Sequence, residues 1–232
     1  MTQTTPGTPL PAGSPRTNGG GLAANLRGFS PIGILVSLLI LALGSLGGLP
    51  VLVWARLSST PWRDLGFRRP TNLFGTAAIG IGFGCSFKLL MKTIVMPLLA
   101  ANPVNPTYHF LAGNRAALPG MVMIVLFQAG FGEETVFRGF LFERLGRLFG
   151  RGAGAKAAMV LLSATLFGLA HIHDQGRAGA VQATIVGLVF GAIFATTGEL
   201  WMLMVAHAAF DLTAVAIIYW NLESWVAHLV FR

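Results

Sequence analysis

The chain has 232 residues, of which 54% are hydrophobic and only 10% charged, with a mean hydropathy of +0.69. Sixteen Lys and Arg against eight Asp and Glu give a formal charge of +8. The basic residues fall between apolar runs, which argues against a nucleic-acid-binding face and for membrane-protein loops that follow the positive-inside rule. Cys85 is the only cysteine, so no disulfide can form within the chain and the residue reads as packing.

Residues 1–30 are rich in Pro, Gly, Thr and Ser, with Arg16 and Arg27 as their only charges. Such a segment buries too little apolar surface to offset its ordering entropy, so a disordered tail is expected. The run from Ile32 to Trp54 is too long for a signal-peptide core and reads as the first span. A basic loop, Arg56 to Arg69, leads to a second span at about 73–99, interrupted by Lys88 and Lys92. These lysines lie four apart on one helical face and are expected to snorkel toward headgroups. After a loop holding Asn102, Pro103, Asn105 and Pro106, Pro119 suits the first turn of a third helix running to about Phe142. A second basic stretch, 143–156, precedes three further spans at about 157–172, 179–197 and 200–220.

The fold class is therefore all-α: a polytopic transmembrane bundle of about six spans, with room for a seventh. Residues 31–232 are expected to form one membrane domain. With both basic loops in the cytoplasm, the 99–117 and 173–178 loops and the tail lie outside.

Against this apolar background stand Glu133, Glu134 and Arg138, then His171, then His207 and Asp211. A charge at the centre of a membrane helix costs about 2.5–3.5 kcal/mol on insertion scales, so such a cluster marks a functional site by default. A rise of about 1.5 Å per residue puts Glu133 about 14 Å, His207 about 11 Å and His171 about 20 Å from the basic face, within reach of one cavity opening toward the cytoplasm. Glu134 and Arg138 share a face and can pair, leaving Glu133 free. Phe167 and His171 share a face, as do His207 and Asp211, where the carboxylate can fix the imidazole tautomer. By themselves, Glu134 with Arg138 could be a structural ion pair, and a lone membrane histidine a helix contact. His109, His173, Asp174 and His228 read as solvated. Gly187 and Gly191 suit close helix packing, within one bundle or between chains, and oligomeric state is not readable.

In order, the segments read E-E-T-V-F-R at 133–138, F-G-L-A-H at 167–171 and H-A-A-F-D at 207–211. They resemble the three motifs of the type II CAAX prenyl protease and bacteriocin-processing (CPBP) group of intramembrane proteases, over about 118–220, and L-G-F-R-R-P at 65–70 is similar to a loop of that family. The resemblance implies an endopeptidase that hydrolyses a peptide bond of a membrane-associated, for instance prenylated CAAX-type, protein or peptide. It implies Glu133 as the general base that activates water, assisted by His171, with His207 and Asp211 at the oxyanion. Glu134, Arg138 and Phe167 would support the site. Where the prenyl proteases carry asparagine, position 211 here is aspartate, which when ionised cannot donate to an oxyanion. The expected cofactor is none; the alternative is zinc on Glu133, His171 and His207. Two other classes, an ion-coupled transporter and a non-catalytic scaffold or immunity protein, use similar clusters. The expected setting is a bacterial-type plasma membrane, multi-pass, with the lipid bilayer and a peptide substrate as partners and no nucleic acid.

Overall fold

The computed structural model describes residues 21–44 and 47–231, whose regular structure is all helical, with no strand among them. Four helical segments are long and apolar enough to cross a bilayer: Leu73–Leu98, Leu118–Phe149, Ala153–Thr197 and Trp201–Tyr219. Their outer faces carry large apolar side chains, with Phe74 87% and Ile79 64% exposed, as lipid contact requires. The expected helical membrane bundle is borne out.

At the N-terminal end the expectations change. Residues 1–20 of the expected tail lie outside the described residues, but Leu22–Arg27 forms a helix, α1, and not a tail. It is pinned by Arg144, whose Nη1 and Nη2 donate to the carbonyls of Arg27 and Gly28 at 2.6 and 2.7 Å, and by an Arg27–Asp64 ion pair at 2.9 Å. Trp54 adds an Nε1–H bond to Leu26 O. These tertiary partners supply what composition alone did not promise.

The expected first span is two short helices, α2 (Pro31–Ala42) and α3 (Leu49–Leu57). Twelve and nine residues rise only about 18 and 14 Å, short of a hydrocarbon core about 30 Å thick. The break falls at Gly47, in the left-handed region at φ 66°, and at Gly48, where a Cβ would sit 2.9 Å from Phe131. Gly47 and Gly48 lie against the middle of α5 (Leu118–Phe149), while α1 and the end of α3 both sit at the basic end. The pair is a re-entrant hairpin, which returns the N-terminal side of the chain to the basic end instead of the opposite face.

Helix α4 (Leu73–Leu98) starts with an Asn72 cap on Gly75 N at 2.9 Å and crosses to the other end. Helix α5 returns; much of it, Ile124–Glu133 and Thr135–Phe140, is wound as π-helix. Residues 153–197 are two helices, α6 (153–175) and α7 (177–197), joined at Gly176, whose φ 65° and ψ −169° are not helical. They fold back on one another: Gly187 packs on Ala164, Gly191 on Val160, and Gly168 on Ala180 and Thr184. The small residues of the G-x-x-x-G pair are thus used inside the bundle. Helix α8 (Trp201–Tyr219) begins just after Leu200, which is fully buried with its N–H on Gly66 O at 3.0 Å. A short helix, α9 (Glu223–Ala227), closes the described chain.

Helices α4 and α8 run parallel and very close. Gly80 lies against Met202 and Val205, Gly84 against Ala206 and Ala209, and Cys85 accepts from Thr213 Oγ1 at 3.3 Å. A side chain at Gly80 or Gly84 would collide with α8 backbone, so this contact depends on glycine.

Candidate active site

The three motifs converge where α5, α6 and α8 meet. Glu134 and Arg138 of α5 are fully buried, and Arg138 Nη1 donates to Glu134 Oε1 at 2.8 Å. The same oxygen accepts from His207 Nδ1 of α8 at 2.7 Å. The carboxylate that fixes the His207 tautomer is therefore Glu134 and not Asp211, whose Oδ2 stands 3.7 Å from the other ring nitrogen, Nε2. With Nδ1 anchored, Nε2 points to the open side of the site.

Glu133 approaches that open side: its Oε2 is 3.8 Å from His207 Nε2 and 3.9 Å from His171 Nε2. Neighbouring glutamates so embrace one imidazole from its two edges. An ordinary α-helix would set them about 100° apart, whereas the wider π turn reduces the angle to roughly 80°, which brings both carboxylates onto the inward arc. His171 Nδ1–H donates to Phe167 O at 2.7 Å, since a carbonyl can only accept, and this holds the ring with Nε2 turned to Glu133. Glu133 Oε2 is buried without a hydrogen-bond partner. Such an atom lacks the stabilisation that buried carboxylates normally find.

Aromatic rings close the other sides. The Arg138 guanidinium lies over Phe167 at 4.6 Å and Phe190 at 5.6 Å, and Phe190 also meets His207 edge-on at 5.8 Å. Phe167 lies against Arg138; Phe190 gave no signal in the sequence, because it stands in one of many apolar runs.

Exposure separates two groups. Glu133, His171 and Asp211 keep 20%, 18% and 31% of their side-chain surface, while Glu134 and Arg138 keep none. The first group, with His207, lines a cavity of about 840 Å³. Its far walls are the second half of α4, the 101–108 segment, the α6–α7 turn at 174–176, and Glu223.

All of these walls belong to the end of the bundle away from the basic loops 56–69 and 143–156. The depth estimate stopped α5 at Phe142, whereas it continues to Phe149 and leaves Glu133 near the helix middle. Lys88 and Lys92 face this cavity and do not snorkel: Lys88 Nζ sits 4.6 Å over the Phe210 ring, and Lys92 Nζ donates to Pro103 O.

The 101–112 strap is tied down by buried Glu223, which accepts from Asn105 N at 2.7 Å and pairs with His109 Nδ1 at 3.0 Å. Thr107 Oγ1 also donates to Asp174 O at 2.9 Å. His109 keeps 44% of its side-chain surface, as expected of a solvated residue, and through Glu223 it also helps to tie down the strap. Its partner lies 114 residues away, beyond any local pattern.

What this geometry defines is a helical membrane bundle with a carboxylate and two imidazole nitrogens presented to an internal cavity. The family model described as Type II CAAX prenyl endopeptidase Rce1-like matches residues 115–213. That stretch holds every one of the seven residues above, and the family resemblance read from the three motifs is borne out over it. The description is that of an endopeptidase family, which supports a peptidase at family level. No curated protein and no solved structure matches the chain.

Proposed function

We propose that this protein is an intramembrane endopeptidase in which Glu133 is the general base for a water molecule that attacks a peptide carbonyl. The observation that carries the reading is Glu133 Oε2, buried, without a partner, and 3.8–3.9 Å from two imidazole nitrogens at the edge of a large cavity. Gaps of that size are too long for hydrogen bonds, but a water with bonds of about 2.8 Å spans each of them. Glu133 takes the water proton, His171 accepts a hydrogen bond from the same water through Nε2, and hydroxide adds to the carbonyl carbon. His207, held by Glu134 and charge-balanced by Arg138, when protonated directs Nε2–H to the oxyanion. The proton held by Glu133 then passes to the departing amine. Asp211 lies beside His207 Nε2 and stabilises the imidazolium; it is not the oxyanion donor.

Metal-free activation is part of this proposal. Ligands of a tetrahedral zinc lie roughly 3.3–3.6 Å from one another, given bonds of about 2.0–2.2 Å. The Glu133–His171 and Glu133–His207 separations are wider, and among the described residues no three His, Cys, Asp or Glu side chains are arranged to hold a metal ion. These separations favour the metal-free reading over the zinc alternative.

The side of entry bears on the substrate. By the positive-inside rule the basic end, with Arg56, Arg63, Arg144 and Arg147 among its residues, is cytoplasmic. The cavity then opens on the opposite face, which favours a membrane-inserted or exported peptide over a prenylated tail at the cytoplasmic surface. The test is cleavage by purified protein in detergent of a prenylated CAAX reporter and a panel of membrane-inserted peptides, with and without chelator. Cleavage of a peptide from the panel, indifferent to chelator, is expected. Loss on chelation overturns the metal-free reading, and preference for the prenylated reporter overturns the proposed side of entry.

A further inference from the structure

Two side-chain amides face the cavity without a partner. Gln128 of α5 and Gln182 of α7 both line it, and neither side chain makes a hydrogen bond among the described residues. The π winding of α5 places the first of them. Five residues at roughly 80° each bring Gln128 back to within about 40° of Glu133, whereas an α-helix would turn it about 140° away. Gln128 therefore shares the inward arc with the Glu133 carboxylate, about one turn nearer the end opposite the basic loops. Gly47 of the α2–α3 break lies against its Cα, so the backbone that carries this amide is braced. Gln182 stands eight residues before Phe190, whose ring meets His207, which puts it about 12 Å toward the same end. Around the two amides the cavity wall is apolar, with Val125, Ala129, Ala183 and Val186. A side-chain amide inside a membrane protein is costly unless water or an incoming group satisfies it.

From this we infer that Gln128 and Gln182 bind the main chain of the unwound substrate, one amide from each of two helices, so that the protein recognises a stretch of peptide backbone and not a run of side chains. The inference rests on the peptidase reading and adds to it the residues that hold the peptide beside the reacting bond.

Chemistry and distance both support the main chain as the ligand. A glutamine offers one carbonyl oxygen and two N–H donors, the complement of the C=O and N–H that each peptide residue carries. A membrane peptide that is to be cut must leave its helix at that point, and in apolar surroundings its freed backbone groups need partners. An extended peptide advances about 3.3 Å per residue. One helical turn of about 5.4 Å from Glu133 sets Gln128 beside a residue about two removed from the scissile bond, and about 12 Å sets Gln182 beside one about three to four removed. The cavity of about 840 Å³ has room for such a segment.

The experiment scans one cleavable peptide with single esters, each replacing one backbone amide near the scissile bond, on either side of it, and so removing one N–H donor and weakening one carbonyl acceptor. Wild type is expected to lose about three- to tenfold in kcat/KM, through KM, for an ester about two residues from the cut, the size of one neutral hydrogen bond. Gln128→Met loses a similar factor on the all-amide peptide and becomes indifferent to that ester, and Gln182→Met does the same for an ester further out. Esters tolerated at every position by wild type overturn the inference, as does a Gln128→Met protein that cleaves every peptide less well and keeps the wild-type sensitivity, the mark of a merely structural glutamine. Binding of the same peptides, fluorescently labelled, to Glu133→Gln protein reads the subsite without catalysis. If no peptide is cut but one ester binds more weakly and adding Gln128→Met removes the difference, the peptidase reading fails and the subsite stands. If amide and ester peptides bind alike, or none binds, the subsite fails.

Discussion

Helix α5 carries two buried arginines six residues apart, and they do different work. Arg144 gives both terminal nitrogens to backbone carbonyls of 27 and 28, and its ring neighbours are Phe29 at 4.6 Å and Trp54 at 5.7 Å. It fastens α1 to the basic end and does not line the cavity of the site. Arg138 gives a nitrogen to Glu134, whose oxygen also holds His207, and His207 opens onto the cavity. A buried arginine here is structural when backbone takes its protons. It becomes part of a site when the carboxylate it neutralises also orients a group that a substrate can reach.

That contrast can be broken by substitution. The largest effect is expected at the open edge of the Arg138 network: Glu133→Gln lowers turnover by roughly 10²–10⁴-fold, the range of a general base, with thermal unfolding in detergent little changed. Behind it, Glu134→Gln leaves Arg138 buried beside a neutral amide and is expected to cost about 3–5 kcal/mol of stability, with loss of activity as His207 loses its anchor. Adding Arg138→Met to Glu134→Gln should recover much of the stability and none of the activity; recovery of both would contradict the orienting role. Arg144→Met removes two charged hydrogen bonds, each worth about 1.5–3 kcal/mol, and should lower the unfolding temperature while the folded fraction cleaves as before. If turnover fell with it, the two regions would not be separable. Smallest is Asp211→Asn, expected to change turnover by less than about tenfold, or under 1.4 kcal/mol of barrier, because Asp211 has no hydrogen bond to His207.

The sequence made the chemistry more legible than the architecture around it. Charges in apolar runs are rare enough that Glu133, Glu134, Arg138, His171, His207 and Asp211 could be grouped before any fold was known, and the structure brings all six together. Their pairing was less legible, because the π-winding of α5 lets adjacent glutamates share His207 and no 3.6-residue pattern reports it. The break before α3 was signalled by Gly47, Gly48 and Pro50, but the uniform hydrophobicity around them masked it. Lys88 and Lys92 read as snorkelling because a lysine near a helix end normally does so. Only with Gly80 and Gly84 as part of the same row does their inward direction follow. The cavity's frame was hidden for another reason: the contacts of Glu223 with Asn105 and His109 span more than a hundred residues.

The most direct test of the central claim is a single turnover in water enriched in heavy oxygen, with wild type and Glu133→Gln and the products read by mass spectrometry. One heavy oxygen in the new carboxylate from wild type, and no product from a Glu133→Gln protein that unfolds at the wild-type temperature, is the predicted result. Unlabelled product from wild type, or labelled product at an undiminished rate from Glu133→Gln, would contradict it.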